Sequence, residues 1–253
     1  MTGKKRLLLA NTNTSAAVTE KIVNEARLHA GPTIEITGAN ASFGPEIISN
    51  RTEMAISTHG LIDLCAAHAE AIDGLIVGMS LDAGVWAARE MLDVPVIGMS
   101  EAALSMASLH GNRIGMFVFG NATQPYREMA LAYGYGQNLA AVQALGVTPQ
   151  EHLADPSRVE ARIIEMIQSL AEAGEIDCAI LVGAVAAGLP RKLQDRLPVP
   201  ALEGISCAVL LMEAMLKLNL PPAKAGSFSN LYGAPRPSKG LSPKLEGYFK
   251  QTR

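Results

Sequence analysis

The strongest constraint on what this chain can fold into is a pattern that occurs twice. Asp73-Gly74-Leu75-Ile76-Val77-Gly78 and Asp177-Cys178-Ala179-Ile180-Leu181-Val182-Gly183 each follow an aspartate with an apolar run that closes on Val-Gly. In both copies a Val-Pro proline, Pro95 or Pro200, stands 17 residues beyond the glycine. A short, unbroken apolar run reads as a strand buried on both faces, the situation of a parallel sheet covered by helices. Equal spacing, equal order and shared residue identities point to an internal duplication of one strand–loop–helix unit.

The remaining segments fit the same plan. Residues 6–10 read as a strand ending at the polar turn Asn11-Thr12-Asn13-Thr14-Ser15, where Thr14 or Ser15 caps a helix over 16–30. Gly31-Pro32 breaks that helix, and 33–37 is a second strand. Residues 38–49 form a Gly/Asn/Ser/Pro loop long enough to suggest function, followed by a helix over 51–69. The loop 79–84 leads to a helix through 92, a strand at 94–98, a helix at 101–109 and a strand at 113–119. Helices are expected over 125–134 and 155–173. The second copy continues with a small-residue loop at 184–188, a helix at 190–196, a strand at 199–202 and a helix at 206–218. From Ala223 onward the tail is rich in Gly, Ser, Pro and Lys and is expected to be mostly irregular. The predicted fold class is α/β, with two pseudo-symmetric lobes, each a parallel sheet flanked by helices: 1–110 with 220–253, and 111–219.

Composition narrows the function. With 253 residues, 49% of them hydrophobic and only 4% aromatic, the core must be aliphatic. The net charge of −3 and the lack of a basic run argue against nucleic acid as a partner. Apolar runs are strand-sized, too short for a bilayer, and Asn11-Thr12-Asn13 interrupts the one near the N-terminus that mimics a signal peptide. Three scattered cysteines, Cys65, Cys178 and Cys207, fit neither a disulfide framework nor a zinc site, and suggest a reducing cytoplasm. Neither a metal motif nor a dinucleotide or P-loop fingerprint is present, so no metal and no cofactor are expected.

Ligands of parallel sheets sit at the carboxyl ends of the strands. Duplicated units therefore place the loops 78–84 and 183–188 across one cleft, with the turn 11–15 opening onto the same face. Amides at a helix N-terminus make that turn an expected anion site. Here the sequence resembles the aspartate/glutamate/hydantoin racemase superfamily. Asn11-Thr12-Asn13-Thr14-Ser15 is similar to that family's Asn-Pro-Asn-Thr-Ser opening, with Thr12 in place of proline. Met79 through Asp82, Gly84, Arg89-Glu90, Val94-Pro95-Val96, Gly98 and Glu101-Ala102 resemble its first catalytic segment. Gly183 through Gly188-Leu189, Leu193-Gln194 and Val199-Pro200 resemble the second, and Gly240-Leu241-Ser242-Pro243 fits its tail. The resemblance implies an active site in the inter-lobe cleft, no cofactor and a small carboxylate or cyclic ureide substrate. A homo-oligomer is the expected assembly.

The departures are as informative. Racemases of the family place one cysteine in each loop, one for each face of the substrate carbon. Aligned to the two prolines, those positions fall on Met79 and Gly183, and neither loop contains a thiol. A thioether cannot exchange a proton as a thiol can. Other candidates remain. Ser80, in the near miss to a nucleophile elbow Gly78-Met79-Ser80-Leu81-Asp82, either donates to a developing oxyanion, as in the similar arylmalonate decarboxylases, or caps a helix. Asp82 is a base or the cap of the helix after Gly84. Tyr126, in Thr123-Gln124-Pro125-Tyr126, resembles a substrate-binding phenol of maleate isomerases and arylmalonate decarboxylases, or is a core tyrosine. Asn11, Asn13, Thr14, Ser15, Met79, Thr123, Gly183 and Ala184 are candidate substrate contacts, as are Arg51 and His59, which otherwise read as a solvated and a packed helix residue. Cys207 begins a helix whose dipole can lower a thiol pKa, or it is packed in the core. Three functions stay open: a cysteine-independent isomerase or lyase working through an enolate, a hydrolase using the same oxyanion site, and an inactive small-molecule-binding homologue.

Overall fold

The computed structural model describes residues 3–228 and 237–250, so the expected irregular tail at 229–236 and 251–253 lies outside the described residues. Strands β1 (Lys5–Asn11), β2 (Ile34–Asn40), β3 (Gly74–Val77) and β4 (Val96–Gly98) form one sheet in the order β2-β1-β3-β4. Strands β5 (Ile114–Val118), β6 (Leu139–Ala144), β7 (Cys178–Val182) and β8 (Ala201–Glu203) form another in the order β6-β5-β7-β8. Every pairing is parallel, and the shared strand order carries the duplication from sequence into topology.

The apolar runs are continuous because both faces of each sheet are covered. On β1, Leu8 and Ala10 face a central core while Leu7 and Leu9 face an outer one. The central core joins the two sheets: Leu8, Leu75 and Val77 from the first share it with Met116, Val118, Ile180 and Val182 from the second. Helices α2 (Arg51–His68), α3 (Val85–Met91) and α4 (Met99–Ser108) contribute Leu61, Cys65, Val85, Ala88, Leu104 and Ala107 to it. Burying a Leu- or Val-sized side chain contributes roughly 1.5–3 kcal/mol, so the joint between the sheets is substantial.

The outer faces show an exchange of helices. Helix α1 (Ala16–His29) covers the outside of the first sheet together with α9 (Gly204–Leu218), whose Cys207, Ala208, Val209 and Met212 pack with Leu7, Leu9 and Ile76. Chain order assigns α9 to the second lobe, yet its apolar face lies on the first. In turn α4 reaches the second sheet, where Cys178 donates from its Sγ to the Ala107 carbonyl. Helix α7 (Pro156–Glu172) covers the outside of the second sheet with Val159, Ile163 and Ile167.

Three segments depart from expectation. Strand β6 was not anticipated; its Leu-Ala-Ala-Val-Gln-Ala run has no strong alternation and is only partly buried, because it is an edge strand. The long helix expected over 155–173 is preceded by a separate α6 (Pro149–Ala154); Asp155 ends α6 and caps α7, with Pro156 starting the new helix. The tail also contains α10 (Pro243–Lys250), which buries Leu245 and packs on α2. The remaining helices are α5 (Gln124–Ala132) and the short α8 (Leu189–Leu193), the latter preceded by a 3-10 turn at Ala184–Ala186.

Candidate active site between the two sheets

At the carboxyl ends of the strands the connecting loops enclose a cavity of about 330 Å3. The loop after β3 forms its floor. Gly78 begins it, because a Cβ there would lie 2.8 Å from both Ile22 and Leu9 side chains. A turn follows, with the Asp82 amide donating to the Met79 carbonyl at 2.9 Å and Asp82 in the left-handed region at φ 50°. That turn points Met79, Ser80 and Leu81 toward the cavity. The second sheet answers through α5: the hydroxyls of Ser80 and Tyr126 are hydrogen-bonded at 2.8 Å.

Asp82 takes neither of its expected places. It is 4% exposed and does not line the cavity. It caps α4 rather than the helix after Gly84: its carboxylate accepts from the Ser100 amide at 3.1 Å, the Glu101 amide at 2.7 Å and the Tyr133 hydroxyl at 3.1 Å. Burial pushes its pKa up to about 7; the two amides and the Tyr133 hydroxyl oppose the shift, and the nearby Glu101 adds to it. The Tyr126 phenol is also pushed up, chiefly by burial, with the Asp82 carboxylate adding to it and the Ser80 bond opposing it. Tyr126 therefore holds its proton at neutral pH, and either hydroxyl can donate to the other.

The turn after β1 is knit internally. Asn11 donates through Nδ2 to Asn13 Oδ1, the Ser15 carbonyl and Thr19 Oγ1. The amides of Asn13, Thr14, Ser15 and Val18 are engaged by Asn11 Oδ1, the Pro45 carbonyl, Asn13 Oδ1 and the Ser15 hydroxyl. The amides of the turn itself are thus taken up within the protein, and Asn11, Thr14 and Ser15 shape the loop while Asn13 lines the cavity.

Of the residues singled out in the sequence, Asn13, Met79, Ser80, Tyr126, Gly183 and Ala184 meet at the cavity. Thr123 does not; its carbonyl accepts the Tyr126 and Arg127 amides at the start of α5. Arg51 forms an exposed ion pair with Glu128 at 2.8 Å, and His59 packs edge-on against Phe43. Strands β3 and β7 end at Val77 and Val182, so in the duplicated plan Gly78 matches Gly183 and Met79 matches Ala184. Gly183 has φ 115°, a conformation L side chains rarely adopt. Among the described residues no thiol lines the cavity. Cys65, Cys178 and Cys207 are buried, and burial pushes their pKa values up to about 12, 11 and 12.

Sequence reasoning missed three parts of the wall: Glu46 through Ser49, Phe119 through Ala122, and Thr148 through Gln150. The first lies in the long loop already suspected of function. The second follows β5, where the carboxyl-end rule points, and the third depends on the unanticipated β6. Among the described residues no cluster of His, Cys, Asp and Glu could hold a metal ion. No described helix is long and apolar enough to cross a membrane.

Paired four-stranded parallel sheets with a cleft at the strand ends define an Asp/Glu racemase-like α/β protein. The chain belongs to the Asp/Glu/Hydantoin racemase family, whose pattern matches residues 7–212. It is 27% identical over 231 residues to a hydantoin racemase of Paenarthrobacter aurescens, covering 88% of this chain and 96% of that one. Its structure is similar to the allantoin racemase from Klebsiella pneumoniae, with a TM-score of 0.87, 28% identity, and coverage of 97% and 99% of the two chains. The maleate isomerase Iso from Pseudomonas putida S16, at 14% identity, a TM-score of 0.57 and coverage of 84% and 93%, shares the fold.

Proposed function

We propose that this chain is a cofactor-independent isomerase or lyase that acts on a small cyclic ureide or related carboxylate through an enolate-type intermediate, without the paired thiols. The observation that carries the reading is the Ser80–Tyr126 hydroxyl pair at the floor of the cavity. Two hydroxyls in contact use one proton between them, which leaves one O–H to donate into the cavity. When the carbon beside a carbonyl gives its proton to a base, for which the lining carboxylate Glu46 or a water is the candidate, or sheds carbon dioxide and later regains a proton, negative charge gathers on the oxygen, and a fixed donor in an apolar enclosure stabilises that charge. The wall is largely apolar, with Val18, Ile47, Ile48, Leu81, Phe119 and Val185 contributing. Among the described lining residues there is no Lys, Arg or His. A neutral ring rich in N–H and C=O groups suits such a wall better than a dicarboxylate, which needs compensating cations. The names of the relatives, hydantoin racemase and allantoin racemase, support a ureide.

The test is proton exchange in deuterated water, followed by proton NMR on a panel of hydantoins, allantoin and arylmalonates. Deuterium entering the carbon beside a carbonyl, or loss of carbon dioxide, is the expected result. A panel that binds but neither exchanges nor decarboxylates would leave the inactive, ligand-binding homologue, which Met79 and Gly183, where the racemases' thiols are expected, favour. The hydrolase reading has less support, because the hydroxyl of Ser80 is paired with a phenol and not with an imidazole.

A further inference from the structure

Helix α5 and its cap carry two phenols, Tyr126 and Tyr133, seven residues apart. Seven residues are close to two helical turns, so both point to one side. Both hydroxyls reach the loop after β3, Tyr126 at Ser80 (2.8 Å) and Tyr133 at Asp82 (3.1 Å). Asp82 is the strained point of that loop, a non-glycine residue with φ 50°. It fits only because Gly98 faces it, where a Cβ would lie 2.3 Å from its Cγ. The same carboxylate fixes the first turn of α4 through the Ser100 and Glu101 amides, and the Ser100 hydroxyl donates to the Ser80 carbonyl at 2.6 Å. One continuous set of hydrogen bonds thus runs from Tyr133 through Asp82 and Ser100 to the backbone of Ser80.

We propose that Tyr133 is a positioning residue which, by anchoring Asp82, sets where Ser80 presents its hydroxyl to the cavity. The inference rests on Ser80 acting there. Four side chains with charge or a titratable proton surround Asp82: Glu101 with its ion-pair partner Arg89, and the phenols Tyr126 and Tyr133. The Tyr133 bond favours the charged carboxylate, so its removal raises the pH at which Asp82 ionises.

Trp86, the chain's one tryptophan, lies 6.0 Å from the Tyr133 ring and reports on this junction without any substrate. Its emission is titrated between about pH 5 and 9 in wild type, Tyr133→Phe and Asp82→Asn, spanning the range where a raised carboxylate ionises. The expected result is a transition near neutrality in wild type, none in Asp82→Asn, and a higher midpoint in Tyr133→Phe. Proton exchange on the best ureide is measured in parallel in Tyr133→Phe and Ser100→Ala. Turnover in each is expected to fall about fivefold or more with KM within about twofold, the signature of a misplaced transition-state contact. An unchanged midpoint, or unchanged turnover, in Tyr133→Phe overturns the proposal. Should wild type turn over no ureide, the proposed function fails by itself, and the amide resonance of Ser80 takes the place of turnover. Its displacement in both variants supports the positioning role, and its constancy overturns it.

Discussion

Ser80, in the loop after β3, and Tyr126, on α5 and 46 residues away, share a 2.8 Å hydrogen bond at the floor of the cavity. Removing either hydroxyl is expected to reduce proton exchange at least about tenfold, where losing a full oxyanion donor costs on the order of 10²–10³. In a double-mutant cycle the effects of Ser80→Ala and Tyr126→Phe should fall short of additive, since each hydroxyl orients the other. Wild-type exchange rates in both single variants would remove the pair from the reaction.

The buried carboxyl of Asp82 gives a pH signature. Its folded pKa, raised to about 7 by burial, lies above the ordinary carboxylate value, so the folded state binds the extra proton. Its contribution to stability is therefore present below the unfolded pKa and is lost as pH rises through the folded one. Urea unfolding of wild type and Asp82→Asn at about pH 5 and 8 is expected to show wild type losing ground to the variant at the higher pH, by on the order of 2 kcal/mol. A difference that is the same at both pH values would contradict this.

Gly98 faces Asp82 with no room for a side chain. Gly98→Ala is expected to destabilise the fold by roughly 1–3 kcal/mol through overpacking against the Asp82 carboxyl. Chemical denaturation measures it directly, and a change near zero would show that the turn yields freely.

Arg51 and Glu128 form an ion pair between α2 and α5, but both side chains are well exposed, at 70% and 45%. Water screens such a pair, so Arg51→Ala or Glu128→Ala should each cost less than about 1 kcal/mol. Turnover should stay close to wild type in both, as Arg51 does not line the cavity. A large rise in KM on replacing Arg51 would restore it as a substrate contact.

Much of this was legible in the sequence because the signal was local. Continuous apolar runs marked β1, β3 and β7, and the rule that sites form at carboxyl strand ends brought Met79, Ser80, Gly183 and Ala184 to the cavity. Strand β6 was hidden because a half-buried edge strand of Ala and Gln carries little periodicity. Asp82 was read against its neighbours in sequence, whereas its partners Ser100, Glu101 and Tyr133 are 18, 19 and 51 residues away. The turn 11–15 looked like a set of free amides, since nothing local shows that the distant Pro45 carbonyl takes up the Thr14 amide. Long-range hydrogen bonds of this kind leave no pattern in one sequence.

The exchange of α4 and α9 between the sheets, over one unbroken central core, bears on how a molecule gets in. Jaws that share their muscle cannot swing apart: spreading the sheets would strip water-averse surface at roughly 25 cal/mol for every Å2. The doorway must then be cut in the rim. That rim is made of the largely exposed segments 46–49, 120–122 and 148–150, all of which line the cavity.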